Sequence, residues 1–274
     1  MIRHELLTNV LSQSPRQWKI ECIDCIDSTN LELCRRYASS EIIPYLVLWS
    51  EEQTEGRGRL ARKWFSITGS DITASVIFPS PVPRTDIAKL NLCAALALID
   101  VLKNEYGIES TSRWPNDVLT ENGKLAGILS TYIAESDAVV CGIGINVNSR
   151  PEAIELGPVS SRRTTMLAET GREIERAHLM GQWLLRFESL WSLAHSGHAA
   201  ELIDSFNRAS FYKGKRVRVL VGAGMDRDDN PDCEEFEGVA GSIDETGTLL
   251  IDLSDGTAYS VRLDDVLIPL EESH

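Results

Sequence analysis

Gly56-Arg57-Gly58-Arg59-Leu60-Ala61-Arg62-Lys63-Trp64 joins two apolar runs, and its reading decides what kind of fold the chain can adopt. Before it, Tyr45-Leu46-Val47-Leu48-Trp49 reads as a short buried strand. After it, Asp71 to Phe78 alternates, with Ile72, Ala74, Val76 and Phe78 on one face. The loop is therefore delivered by two strands. From Glu55 to Lys63 it holds four cations against one acid, in a chain of net charge −14. Glycine lets the backbone approach a ligand closely, and guanidinium forks match carboxylate and phosphate oxygens. A basic island in an acidic chain suits a small anion better than a polyanion.

The surrounding chain reads as a mixed α and β domain. Residues 18–26 form a strand ending at Asp27-Ser28-Thr29-Asn30, and Thr29 with Glu32 makes a capping box for a helix through Leu31 to Tyr37. After Pro79, Pro81 and Pro83, Thr85 is placed to cap a long helix striped by Ile87, Leu90, Ala94, Leu98, Val101 and Leu102, and Gly107 stops it. Asn122-Gly123 marks a hairpin, and Ala138 to Asn146 reads as a buried strand. Residues 162–208 follow a helical pattern, with Ile174, Ala177, Met180, Leu184, Phe187 and Trp191 on one stripe. From Tyr212 short β runs take over: 216–221, 236–243, 248–253 and 257–263. These assignments divide the chain into residues 1–210 and a small β module over 211–274. Most of the negative charge lies in that module, with 15 acids against 6 lysines or arginines from Tyr212 onward. The stretch from Gly222 to Glu235 reads as a solvated loop.

Several classes of function lose ground. The net charge opposes binding to a phosphate backbone. No apolar run is long enough for a transmembrane helix, and the first ten residues lack a signal-peptide layout, so a cytoplasmic protein is expected. Cys22-Ile23-Asp24-Cys25 has no second ligand pair, so the six cysteines are expected to be reduced. The five histidines fall into no ligand spacing, and no Gly-x-Ser-x-Gly elbow is present. Gly142-Ile143-Gly144-Ile145-Asn146 is followed by Val147 and so is not a dinucleotide fingerprint, but its glycines bare one face of a strand. Either close sheet packing or a flat ligand could cover that face. Asn116 and Asp117 follow Trp114-Pro115 and are expected in a turn, while Lys124 heads a hydrophobic strand.

In this order, Asp-Ser-Thr-Asn at 27–30, Glu-Gln-Thr-x-Gly-Arg-Gly-Arg at 52–59 with Arg62 and Trp64, Trp-Pro-Asn-Asp at 114–117, Lys-Leu-Ala-Gly-Ile-Leu at 124–129 and Gly-Ile-Asn at 144–146 resemble the signature segments of the biotin protein ligase family. The resemblance implies an α+β catalytic domain with a mixed sheet of the class II synthetase-like biotin/lipoate ligase type, followed by an SH3-like β-barrel. It implies a ligase that converts biotin and ATP, with Mg²⁺, to biotinyl-5′-AMP. The biotinyl group then passes to one lysine of a biotin carboxyl carrier domain. Other outcomes of the same fold are a lipoate or octanoate ligase or transferase, or a non-catalytic biotin-binding relative.

By the same resemblance, Ser28, Thr29, Asn30, Gln53, Gly56, Arg57 and Lys124 would bind biotin, and Arg59, Arg62, Trp64, Asn116 and Asn146 the nucleotide. Lys124, Arg57 and Arg59 would carry the chemistry, with Asp117 assisting the acceptor lysine; no metal ligands are assigned. The family often has glycine where Ala61 stands, and lysine where Arg113 stands. About twenty residues precede the matched segment, which points to the type without an N-terminal DNA-binding domain, acting without nucleic acid or membrane as a monomer or homodimer.

Overall fold

The computed structural model describes residues 4–38, 45–60, 62–77, 82–134, 138–150, 162–196, 199–222 and 234–270. Phe78, Ala61 and most of the Gly222–Glu235 stretch lie outside the described residues. In chain order the first half contains α1 (His4–Leu11), β1 (Lys19–Ile26), α2 (Thr29–Ala38), β2 (Leu46–Gln53), β3 (Ile72–Ile77), a 3₁₀ turn (Arg84–Asp86) and α3 (Ile87–Tyr106). There follow β4 (Thr111–Arg113), β5 (Asp117–Thr120), β6 (Gly123–Ile133), β7 (Ala138–Ile145), α4 (Met166–Thr170), α5 (Arg176–Leu193) and α6 (Ala199–Ala209). The last part is β8 (Arg216–Leu220), β9 (Glu235–Ile243), β10 (Leu249–Asp252), β11 (Ala258–Ser260) and β12 (Val266–Pro269).

Seven strands form a mixed sheet in the order β1-β2-β3-β7-β6-β5-β4. Only β1 and β2 run parallel. Every residue of β3 and β7 is buried, as expected of central strands covered on both faces. On one face lie α3 and α5. α3 is apolar nearly all round and serves as the core helix; Gly107 ends it in the left-handed conformation at φ 68°. Trp183 of α5 is fully buried, stacks on Phe187 at 5.1 Å between centroids, and donates from Nε1 to the Ala94 carbonyl of α3 at 3.0 Å. The opposite face is closed by α2, where Leu33 meets Leu46, Leu48, Ile77 and Val140.

The expected capping box is not formed. α2 begins two residues before Leu31, with Glu32 N bonded to the Ser28 carbonyl at 3.0 Å. Thr29 turns its hydroxyl to Gln53 and Ser75 instead, and the Glu32 carboxylate pairs with Arg35 and Arg36. A long-range polar contact has displaced the local one. Thr85 likewise does not cap α3: it lies in the 3₁₀ turn, and Asp86 occupies the cap with no side-chain bond. The helical stretch 162–208 is three helices, broken after α4 by Gly171 at φ 70°.

The acidic tail forms a five-stranded antiparallel sheet in the order β11-β10-β9-β8-β12. Its last strand was not anticipated. β12 is an edge strand, the position where Pro269 is tolerated. This sheet is tied to the first by Phe211 N to the Ser112 carbonyl (2.8 Å) and Trp114 Nε1 to the Gly247 carbonyl (2.9 Å).

Replacing Trp183 by Ala removes both the packing and the hydrogen bond that join α3 to α5. The expected loss is about 3–5 kcal/mol in urea unfolding. A loss below about 1 kcal/mol would show that this contact does not hold the helical layer.

Candidate functional site

The cluster begins where β1 gives way to α2. Ser28, Thr29 and Asn30 are all buried. Gln53, at the end of β2, accepts through Oε1 from Thr29 N (2.8 Å) and Thr29 Oγ1 (3.1 Å), and the Thr29 hydroxyl also meets Ser75 Oγ of β3 at 2.8 Å. Ser75 was not singled out by sequence reading, because a lone serine in an apolar strand carries no motif. Asn30 is engaged with the sheet: Nδ2 donates to the carbonyls of Leu129 (3.1 Å) and Val140 (3.4 Å), and Oδ1 accepts from Thr131 Oγ1 (2.7 Å). Its amide anchors α2 and leaves no donor over for a ligand.

From Gln53 the chain enters the Gly-Arg loop, which is closed by its own backbone. Trp64 N donates to the Gly56 carbonyl (2.9 Å), Gly58 N to the Arg62 carbonyl (2.7 Å), and Arg57 pairs with Lys63. A side chain at Gly56 would sit 2.6 Å from the Trp64 carbonyl oxygen, so this approach requires glycine. The loop returns Trp64 to the sheet. A Cβ on Gly144 would lie 2.2 Å from the Trp64 ring, and one on Gly127, its register partner across β6 and β7, 2.9 Å from it. The flat object on the bare glycine face is thus this chain's own indole. Lys124 Nζ stands 5.4 Å from the centre of that ring.

Lys124 is the second residue of β6, and its neighbours fix it tightly. Its Nζ lies 2.7 Å from Asp117 Oδ1, an ionic contact that lacks the direction of a good hydrogen bond. Asp117 Oδ2 receives Arg113 Nη2 at 2.5 Å. Asp117 sits at the start of β5, paired with Arg113 and Gly127, and not in the turn expected for it. Burial pushes its carboxyl up, but Lys124 and Arg113 outweigh burial and hold it below the usual carboxylate range. Burial pulls the Lys124 ammonium below its ordinary value against the pull of Asp117. Asn146 Nδ2 donates to the carbonyls of Lys124 (3.2 Å) and Thr164 (3.1 Å), so this amide holds backbone together behind the lysine.

Arg59 comes in from the loop. Its Nη1 donates to Asn116 Oδ1 at 3.1 Å, while burial pulls its pKa down and no carboxylate pairs with it among the described residues. Arg57 and Arg62 remain exposed, and the charge of Arg62 acts on Arg59. The described residues around Lys124 include a cation missed by sequence reading. Arg163 lies over the Phe65 ring at 5.8 Å, and its segment bridges Lys124.

Charge and hydrogen-bonding capacity are thus both left over. Arg113, Lys124 and Arg59 gather around one carboxylate, and Arg59 Nε and Trp64 Nε1 are buried donors without a partner. Buried donors and cations in excess favour an acceptor-rich anion. Among the described residues no group of three or more His, Cys, Asp or Glu side chains could hold a metal ion.

The residues therefore gather buried positive charge on a mixed sheet, and the chain as a whole is similar to relatives of known type. Residues 22–148 match the model of the biotin/lipoate A/B protein ligase family. The chain is 32% identical to the biotin–[acetyl-CoA-carboxylase] ligase of Mycobacterium tuberculosis over 88% of its own length and 85% of that protein. It is 31% identical to the bifunctional ligase/repressor BirA of Bacillus subtilis over 76% of its length, spanning 61% of that longer protein. The biotin protein ligase of Aquifex aeolicus, solved in complex with biotin and ATP, superposes with a TM-score of 0.75 over 92% of this chain and 99% of that one, at 24% identity, and shares the fold. The chain belongs to the biotin/lipoate protein ligase family, on its biotin protein ligase branch.

Gly144→Ala is expected to drive the Trp64 ring off β7 and open the loop. Trypsin cleavage within 55–63 should accelerate at least about tenfold, as expected when a loop loses a packed anchor. Unchanged cleavage would show that Trp64 does not hold the loop.

Proposed function

We infer that this protein is a biotin protein ligase that activates biotin with ATP to biotinyl-5′-AMP and transfers the biotinyl group to a lysine of a biotin carrier domain. The observation that carries this reading is the excess of buried cation and unpartnered donors around Lys124, set beside the polar, uncharged Thr29–Gln53–Ser75 cluster. A bicyclic urea needs neutral donors and acceptors, and a carboxylate meeting a phosphate needs positive charge. The two halves of the site supply these in turn.

In the first step a carboxylate oxygen of biotin bonds to the α-phosphorus as the bond to pyrophosphate breaks. Two anions approach each other, so positioning and cationic stabilisation are what the protein can offer. Lys124 and Arg59 are assigned to the carboxylate and the phosphate, and Gly56 and Arg57 to covering them. Ser28, Thr29 and Gln53 are assigned to biotin. Trp64 and Asn116 are assigned to the nucleotide, with Arg62 at its edge. Asn146 supports Lys124 from behind.

In the second step the acceptor amine, once deprotonated, attacks the acyl carbon and AMP leaves. Asp117, ion-paired twice and held anionic, is suited to fixing Lys124 and poorly suited to taking that proton. Magnesium is proposed to enter on the triphosphate, since it binds through substrate phosphates with few protein ligands, and it would neutralise phosphate charge there. Sequence relatives named biotin ligases favour biotin over lipoate or octanoate. Among the described residues no helix is long and apolar enough to cross a membrane. Action without nucleic acid fits the acidic charge, and a cytoplasmic site of action is part of the same proposal.

Incubation with ATP, pyrophosphate and each acid tests the reading. Biotin alone should support ATP–pyrophosphate exchange, and lipoate or octanoate in its place would overturn it. Lys124→Ala should slow biotin-dependent exchange roughly 30- to 1,000-fold, as expected for loss of about 2–4 kcal/mol of transition-state stabilisation. Exchange near the wild-type rate would remove Lys124 from the chemistry.

A further inference from the structure

Arg59 is held from two sides. One side is Asn116; the other is the second sheet, where the Asp265 carbonyl accepts Arg59 Nη2 at 3.1 Å. Asp265 is 1% exposed although it lies in a turn between β11 and β12. Its carboxylate explains why. Oδ1 accepts Gly222 N at 2.9 Å, and Oδ2 accepts Tyr259 Oη at 2.9 Å and Arg262 N at 2.8 Å. Burial, reinforced by the Asp265 carboxylate, pushes the Tyr259 hydroxyl up to about 12, so it remains a donor. Three separate parts of the sheet therefore converge on one carboxylate, and the main chain of that residue faces the Gly-Arg loop.

We propose that Asp265 is a positioning residue for the ligase reaction: its carboxylate fixes the 262–265 turn so that the Asp265 carbonyl sets the Arg59 guanidinium beside Lys124 and Asp117. This rests on the ligase reading above. The physical argument concerns the kind of partner Arg59 has. A carboxylate at this point would neutralise the guanidinium and compete with the substrate anion. A carbonyl oxygen orients the fork without removing its charge, and Nε stays buried and unbonded. A carbonyl, however, holds only as firmly as its own backbone, and the buried carboxylate supplies that firmness.

Asp265→Asn keeps the shape but loses one acceptor, since its amide nitrogen cannot receive N–H donors; Tyr259→Phe removes a single bond to the carboxylate and guards against a folding failure. Trypsin cleavage of the Arg59–Leu60 bond, followed by mass spectrometry, reads the latch without any substrate. It should speed up in Asp265→Asn, and to a smaller extent in Tyr259→Phe, while urea unfolding shows each variant folded. In the exchange assay Asp265→Asn should lower kcat roughly 10- to 100-fold, the scale of a small misplacement of a reacting group, with the biotin KM within about twofold. Combined with Arg59→Met it should cost little more than Arg59→Met alone, because both act through one group. Unchanged cleavage at Arg59, or losses that add in the double variant, would overturn the proposal. If the wild-type chain shows no biotin-dependent exchange, the ligase reading fails by itself and the cleavage rates still decide whether Asp265 holds Arg59.

Discussion

One buried carboxylate, Asp117, sits between Lys124 and Arg113, and the site is organised around it. Alone, each of these three groups would be costly to bury; together they stay charged because each cation offsets the desolvation of the anion. The balance is deliberately incomplete. Two cations meet one anion, Arg59 adds a third positive charge held by neutral acceptors, and the net field is positive in an otherwise acidic protein. Under the proposed function an entering anion would offset this excess charge, so binding and charge compensation would be the same event.

The rest of the fold serves that arrangement. Strand β7 is buried throughout and β6 pairs along it, which fixes the glycine pair 127 and 144 to the core with Lys124 three residues before Gly127. Trp64 lies on those glycines and turns a flexible Gly-Arg segment into a defined wall. The second sheet's module meets the first at Trp114 and Arg59, which donate to the Gly247 and Asp265 carbonyls. Both of these contacts are made by its backbone carbonyls.

Much of this was legible in the sequence because local chemistry and tertiary need agreed. Gly107 ends α3 as its conformational freedom requires, and the stripe of α5 is buried as its spacing demands. The Gly-Arg loop, Lys124 and Asp117 were found because unusual residue types stood together. What escaped was long-range. Thr29 reads as a helix cap until Gln53 and Ser75, from two other strands, claim its hydroxyl. Asn30 and Asn146, which the resemblance assigns to ligands, also bridge backbones far apart in sequence, and no motif shows that role. Asp265 looks like one acid among many in an acidic tail, and only the folded turn shows its three donors.

The central claim is that the excess of positive charge from Lys124, Arg113 and Arg59 over Asp117 favours an anionic ligand. Calorimetric titration with a stable phosphate-bearing analogue of biotinyl-5′-AMP and with an uncharged analogue of the same shape measures it most directly. The account predicts that the charged ligand binds on the order of 100-fold tighter, about 2.7 kcal/mol, and that Lys124→Met removes most of that difference. Equal affinity of the charged and uncharged analogues for the wild-type protein would contradict it.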